Sequence, residues 1–517
     1  MLIRAMGVVE NPTLNAPVGL LLHPDDNVVV LTKAVSAGQE VMSGVRAIER
    51  VAFGHKLALC RFEPGDAVIK YGQVIGEALE AIEPGAHVHD HNIAVTSKRV
   101  GYATLEPVSA ESAAIEPRFF DGYRRASGKA GTRNYIGVLT TVNCAATVAH
   151  MIADRIAQSD EFRAIDGVDG VVPITHGGGC GMAASGEGFD VLSRTLWGTA
   201  LNPNFAGVMV VGLGCEIMQI ARLSKLSGQT PEHFHAYTIQ QEGGTRKAVE
   251  RGIAQLLEIA REAGKAKRET IPASELVLGL QCGGSDAWSG LTANPSLGAA
   301  ADRIAAHGGT VLLSETPEIY GAEHLLMSRA RSADVAEKLQ ARLAWWEDYT
   351  RRNGAEMNNN PSPGNKLGGL STILEKSLGA VAKGGTSSLN DVIEYGEPVG
   401  ERGLVFMDSP GYDPCSVTGQ VASGANMVAF TTGRGSAFGS RPTPCLKLAS
   451  NSNLYERMQE DMDVDCGPVL TGERTVDEMG QAIFDEILAS ASGRATKSEA
   501  LGYGGQEFVP WQIGAVM

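Results

Sequence analysis

With 517 residues the chain is too long for a single hydrophobic core, and two to four domains are expected. A net charge of −15 without any basic cluster excludes a protein that tracks nucleic-acid phosphates, and no run of about 18 apolar residues is available to span a membrane. Eight cysteines without a CxxC pair, in a chain whose start lacks a secretory signal, point to reduced thiols and a cytoplasmic location.

Taken in order, residues 1–95 read as a small β-rich module. Short β-prone pieces (28–32, 56–60, 67–70) alternate with the turn signals Glu63-Pro-Gly-Asp66 and Glu83-Pro-Gly-Ala86, as in a compact barrel or clip. Residues 96–118 carry Ala, Ser, Glu and Pro without periodicity and read as a linker. A second domain over 119–270 and a third over 271–517 have βαβ texture, which implies an α/β multidomain chain with largely parallel sheets. Predicted strands 135–142, 170–175, 206–213, 275–280, 310–314, 404–407 and 427–431 each end in small or polar residues. Helices are expected over 147–158, 247–263, 332–352 and 475–490, with a loose tail after Gly493.

The most polar of these strand ends is Gln281-Cys-Gly-Gly-Ser-Asp286 and the following Ser289, Thr292 and Asn294. Open α/β sheets place ligands at such carboxyl edges, with glycines allowing close backbone approach. Asp286 there could hold a cation or take a proton, or only cap the next helix. His87, His89 and His91 form a second signal. In an extended chain i and i+2 share a face while i and i+4 lie roughly 13 Å apart, so two of the three are expected to share one ion. His23 and His55 are further ligand or acid–base candidates in the same module. Cys144, Cys180, Cys215 and Cys282 all follow predicted strands. If those strands are neighbours, the thiols converge to line a pocket or hold iron, although their spacing matches no ferredoxin pattern and a cluster is the less favoured reading. Arg133-Asn134, Lys366 and Arg434 sit in polar loops suited to gripping a carboxylate. No phosphate-binding or nucleophile-elbow motif occurs in the required context, which argues against nucleotide use and serine hydrolysis.

The ordered motifs HPDDN (23–27), GHK (54–56), IKYG (69–72), HVHDHN (87–92), GTRN (131–134), GLGCE (212–216), QCGGSD (281–286), TANP (292–295), NPSPGNK (360–366) and TTGRG (431–435) closely resemble the altronate/galactarate dehydratase family over nearly the whole chain. The resemblance implies an N-terminal SAF-type β-clip domain, an α/β domain and a distinctive C-terminal domain. It also implies an Fe2+-dependent hydro-lyase, with Mn2+ as a substitute, acting on a small sugar acid. The histidine run favours the altronate branch and conversion of altronate to 2-keto-3-deoxygluconate. Galactarate or another aldonate or aldarate is the alternative substrate, and a non-catalytic sugar-acid-binding protein the alternative class. On this reading His23, His87 and His89 hold the metal, and His55, Lys366 and Asp286 are catalytic. Arg133, Asn134, Ser285, Asn294, Asn365 and Arg434 bind substrate, and the chain forms a homo-oligomer.

Overall fold

The computed structural model describes residues 17–95, 116–225 and 228–514, so the expected linker lies almost wholly outside the described residues. Residues 17–95 fold into three small antiparallel sheets. One of them orders Gly19–Leu20, Val28–Leu31, Lys56–Ala58 and His87–Val88 side by side. The Glu-Pro-Gly corners explain how so short a chain turns so often. Asp66 N–H bonds to Glu63 O and Ala86 N–H to Glu83 O, each at 3.0 Å, with Gly65 and Gly85 at φ +91° and +83°. Proline presets the first central φ of such a turn, and glycine alone takes the second without strain.

Two parallel sheets follow. The smaller orders Gly170–Ile174, Tyr135–Thr140, Phe205–Gly212 and Phe234–Thr238. The larger has seven strands in the order Leu389–Ile393, Gly403–Met407, Thr310–Leu313, Val277–Cys282, Met427–Thr432, Cys445–Ala449 and Val464–Asp465, all parallel. The fold is thus an SAF-like module followed by α/β domains. The chain grows toward one edge from Val277–Cys282 and toward the other from Met427–Thr432. These two neighbours are therefore the switch point of the sheet, and the crevice beyond their carboxyl ends is where such sheets bind ligands.

Sequence patterning missed several strands for identifiable reasons. Cys445–Ala449 carries Lys447, which reads as a surface residue yet is fully buried, donating to Ser436 O at 3.1 Å. Leu389–Ile393 has two polar residues in its middle, as an edge strand can. The expected boundary at 270/271 falls inside the strand Glu269–Pro272, which pairs antiparallel with Phe119–Arg124. The tail after Gly493 is not loose: Lys497–Ala500 is helical, Glu499 binds Arg133, and Trp511 stacks on Trp346. Its apolar residues Phe508, Val509, Trp511 and Ile513 pack on two separate cores, and so short a stretch has no helical or strand periodicity to reveal it.

The cores explain which parts belong together. Val28, Phe62 and Ile75 of the first module lie in one apolar cluster with Leu280 of the large sheet, Trp288 of the loop that follows it and Leu297 of the covering helix Ala293–Ala306. The four-stranded sheet has separate clusters on its two faces. The first module therefore packs on the third region rather than on the domain that follows it in sequence.

Candidate functional site

His55 precedes the strand Lys56–Ala58, whose antiparallel partner His87–Val88 leads directly to His89. This pairing brings the three imidazoles together with ring centroids 4.9–5.2 Å apart. One ring nitrogen from each lies within 4.8 Å of the other two, the spread of donors around a single ion. His55 Nδ1 and His87 Nε2 are 2.9 Å apart, and His89 Nδ1 is buried with no hydrogen-bond partner among the described residues. Burial, followed by the neighbouring rings, pushes His87 down to about 3; burial and Lys56 push His89 down to about 4. His55 is lowered as well, chiefly by burial. Three neutral imidazoles with an orphaned buried nitrogen are a donor set suited to a divalent metal.

His23, expected among the ligands, is not in this group. Its ring lies against Gly72, and its Nδ1 accepts from Asp25 N–H at 3.2 Å. His91 departs from the extended-chain expectation, because a turn closed by Asn92 N–H to His89 O ends the strand. The turn brings the His91 ring to 5.4 Å from that of His87, on the exposed side.

The histidines sit where the first module meets the large sheet. Gly54 and Gly369 pass so closely that a Cβ on Gly369 would lie 2.4 Å from Gly54 O. His55 Nε2 faces Leu367 O at 3.3 Å, and Lys366 Nζ pairs with Asp90 at 3.0 Å. Beneath them Lys56 and Lys70 each reach the Glu375 carboxylate at 2.8 Å, all three fully buried. One carboxylate faces two ammonium groups. Burial opposes its charge, yet the two lysines hold it well below the ordinary carboxyl range. Burial brings Lys56 down to about 8. Lys70, although burial opposes its charge too, is raised by Glu375 and Tyr71.

At the switch point, Asp286 accepts from Trp288 N, Ser289 N, Ser289 Oγ, Ser450 Oγ and Asn451 Nδ2, and burial raises its pKa. A Cβ at Gly433 would sit 2.1 Å from its carboxyl carbon. Asn365 closes a capping box with Ser362 and donates to Ser285 O at 2.8 Å. Asn294 bridges Gly379 O and Thr431 Oγ1. Arg434 stays exposed, its N–H bonded to Gly284 O. Arg133 and Asn134 lie elsewhere, where the second domain meets the tail. Arg133 is paired with Glu499 and bonded to Ser490 O, and Asn134 is bonded to Arg125, Gly167 and Ala263.

A cavity of about 10 Å³, room for one water, joins Glu375 to a second charged group built around Cys282. Lys383 Nζ donates to Cys282 Sγ at 2.7 Å and lies 3.7 Å from Glu315; Lys376 pairs with Glu318 at 2.5 Å. Glu315 is fully buried at φ +75°, and neither of its carboxylate oxygens is hydrogen-bonded among the described residues. Burial, then Glu318, raises it well above the usual range, and the same causes bring Asp413 to about 6.

The four strand-end cysteines do not share one edge. Cys282 ends a strand of the large sheet and is buried. Cys144, Cys180 and Cys215 follow three adjacent strands of the small one, and all three are exposed.

Comparison with known proteins fits this arrangement. Residues 18–96 match the altronate/galactarate dehydratase SAF domain, and 122–264 match the D-galactarate dehydratase/altronate hydrolase second domain. Residues 273–516 match the D-galactarate/altronate dehydratase C-terminal domain. The chain belongs to the altronate/galactarate dehydratase family. Galactarate dehydratase (L-threo-forming) of Escherichia coli (strain K12) is 38% identical over 92% of both chains. Altronate dehydratases of E. coli (strain K12) and Bacillus subtilis (strain 168) are 36% and 34% identical over 92% of this chain and 96% of theirs. These identities place the chain among enzymes named dehydratases without separating the two substrates.

For this family member, sequence reading found the imidazoles but missed Glu375, over 300 residues from the Lys56 and Lys70 that it pairs with. The hint was Lys56 and Lys70 inside apolar strand sequences, where a lysine needs a buried partner. Glu315 and Glu318 were visible as a strand end; Lys376, Lys383 and Asp413 lay in segments without motif character.

Proposed function

We propose that the chain is a sugar-acid dehydratase that converts altronate to 2-keto-3-deoxygluconate. The observation that carries this reading is the neutral His55–His87–His89 group, two of its rings buried and His87 half-buried, docked against the large sheet in a member of a dehydratase family. The site would be held by these three residues, with His55 taking the ligand role first expected of His23. A divalent metal bound there, Fe2+ or Mn2+, would supply positive charge to the substrate's carboxylate and 2-hydroxyl.

In the reaction the proton on C2 leaves, the 3-hydroxyl departs as water, and the resulting enol becomes the 2-keto acid. His91, outside the metal group but 5.4 Å from His87 and exposed, takes the C2 proton. Lys366, held by Asp90 at the same opening, gives a proton to the departing hydroxyl. Asp286, with its acceptors filled from five donors, fixes the Gly284–Ser289 loop rather than handling protons. Arg434 is the exposed guanidinium available at the switch point for a substrate carboxylate.

The test is a panel of hexonates and hexarates given to chelated protein reloaded with Fe2+, assayed for 2-keto-3-deoxy acid. Altronate turnover that disappears on chelation is the expected result. The 38% identity to a galactarate dehydratase supports galactarate as the second substrate to try, and a preference for it moves the assignment to that branch. Absence of keto acid from every sugar acid would remove the enzymatic reading.

A further inference from the structure

The carboxyl edge of the four-stranded sheet carries three thiols that the dehydratase reading leaves without a role. Cys144, Cys180 and Cys215 each follow one of three adjacent parallel strands. All are exposed, whereas Cys282, Cys415, Cys445 and Cys466 are buried, the usual place for a free cysteine.

The three loops are tied into a closed ring by hydrogen bonds one residue from each thiol. Asn143 N–H, beside Cys144, donates to Gly178 O at 3.1 Å. Gly179 O, beside Cys180, accepts from Ile217 and Met218 N–H, both at 3.1 Å. Glu216, beside Cys215, is buried and accepts from Thr141 Oγ1 at 2.6 Å, returning to the first loop. Glycine makes the approach feasible. At φ +96°, a Cβ on Gly179 would lie 2.1 Å from Thr141 O and would drive the Cys180 loop off the Cys144 loop. Cys144 also stands at the amino end of the helix Ala146–Ala157, where the dipole favours a thiolate or another anion.

Among the described residues these thiols do not form a group tight enough to share one ion, as the three imidazoles do. A cluster asks for a different spacing, because each thiolate binds its own iron and the sulfurs are spread around a body several atoms across.

We propose that Cys144, Cys180 and Cys215 ligate a [4Fe–4S] cluster on the second domain, with its fourth iron free of protein thiolate. Each thiol loses one proton as its sulfur bonds to iron; four sulfides, two ferric and two ferrous ions come from outside the chain and make the 2+ cluster without any further oxidant. Because the fourth iron has no cysteine, it is the position open to an oxygen ligand such as a hydroxy acid. The inference stands apart from the imidazole reading, since its test measures cluster content rather than turnover.

The test is anaerobic reconstitution of the full chain with equal amounts of ferrous and ferric iron and with sulfide. The expected product is brown, holds acid-labile sulfide, and gives an electron paramagnetic resonance signal on reduction. Cys144→Ala, Cys180→Ala and Cys215→Ala should each lower the bound sulfide, and the triple variant should fall to the background of protein incubated without sulfide. Cys60→Ala, at an exposed cysteine of the first module, should retain the cluster in full. Mass spectrometry after iodoacetamide gives a second readout. In reconstituted protein Cys60 alone of the four exposed thiols should react, and all four should react once the cluster is destroyed. Reconstituted wild type without labile sulfide, or a folded triple variant holding as much as wild type, overturns the proposal.

Discussion

The two parallel sheets are built by the same βαβ logic, yet their carboxyl edges differ in every chemical respect. The seven-stranded edge is covered by the first module, which shares its apolar core, and there buried charges are packed against one another. The four-stranded edge stays open, and its polar endings are exposed thiols whose loops are tied by backbone hydrogen bonds and the Thr141–Glu216 side-chain bond. What covers a sheet edge therefore decides which side chains can work there. Under a lid, imidazoles stay neutral and lysines need carboxylates; in the open, thiols remain free to meet an incoming cofactor.

The sharpest way to break the covered edge is Glu375→Gln, which leaves Lys56 and Lys70 buried without their counter-charge. A loss of about 3–5 kcal/mol is expected from denaturant unfolding. Because this carboxyl is depressed in the folded state, its contribution is present above the ordinary value of 4.5 and is lost as pH falls through the folded value. Wild type should therefore lose stability on acidification more steeply than the variant. Parallel pH profiles would refute the coupling.

Next in size is the imidazole group, on the proposal that it holds the metal. His87→Ala with His89→Ala should remove bound metal and cost roughly a thousandfold in kcat/KM, about 4 kcal/mol. Metal analysis together with turnover checks it, and full occupancy with normal rate would exclude these ligands. Lys366→Ala should lower kcat about 100-fold. Stability should move by less than about 1 kcal/mol, since its pair with Asp90 is partly exposed. An unchanged kcat would take Lys366 out of the reaction. Smallest is Gly433→Ala, whose Cβ meets Asp286 at 2.1 Å. It should cost about 1–3 kcal/mol in thermal unfolding, and a neutral result would show that the Asp286 loop can yield.

Much of the scaffold was legible in the chain. Val277–Cys282 and Met427–Thr432 announce themselves as apolar runs that stop at glycine and polar residues, because a buried parallel strand must be apolar and its end must turn. The Glu-Pro-Gly corners and the imidazole pair His87 and His89 were equally plain, since both are local. His55 was visible only as a lone residue. Its place in the imidazole group depends on strand pairing across 32 positions.

The sequence by itself determined the α/β class, the SAF-like start and the histidine run, because periodicity and turn chemistry act over a few neighbouring residues. Only the tertiary structure decided that the first module shares its core with the third region, that Glu375 neutralises lysines some 300 positions away, and that Cys282 parts company with the other three strand-end cysteines. Those outcomes depend on which sheet each strand joins. Strand order follows from burying apolar faces over the whole molecule, and no short window of residues encodes it.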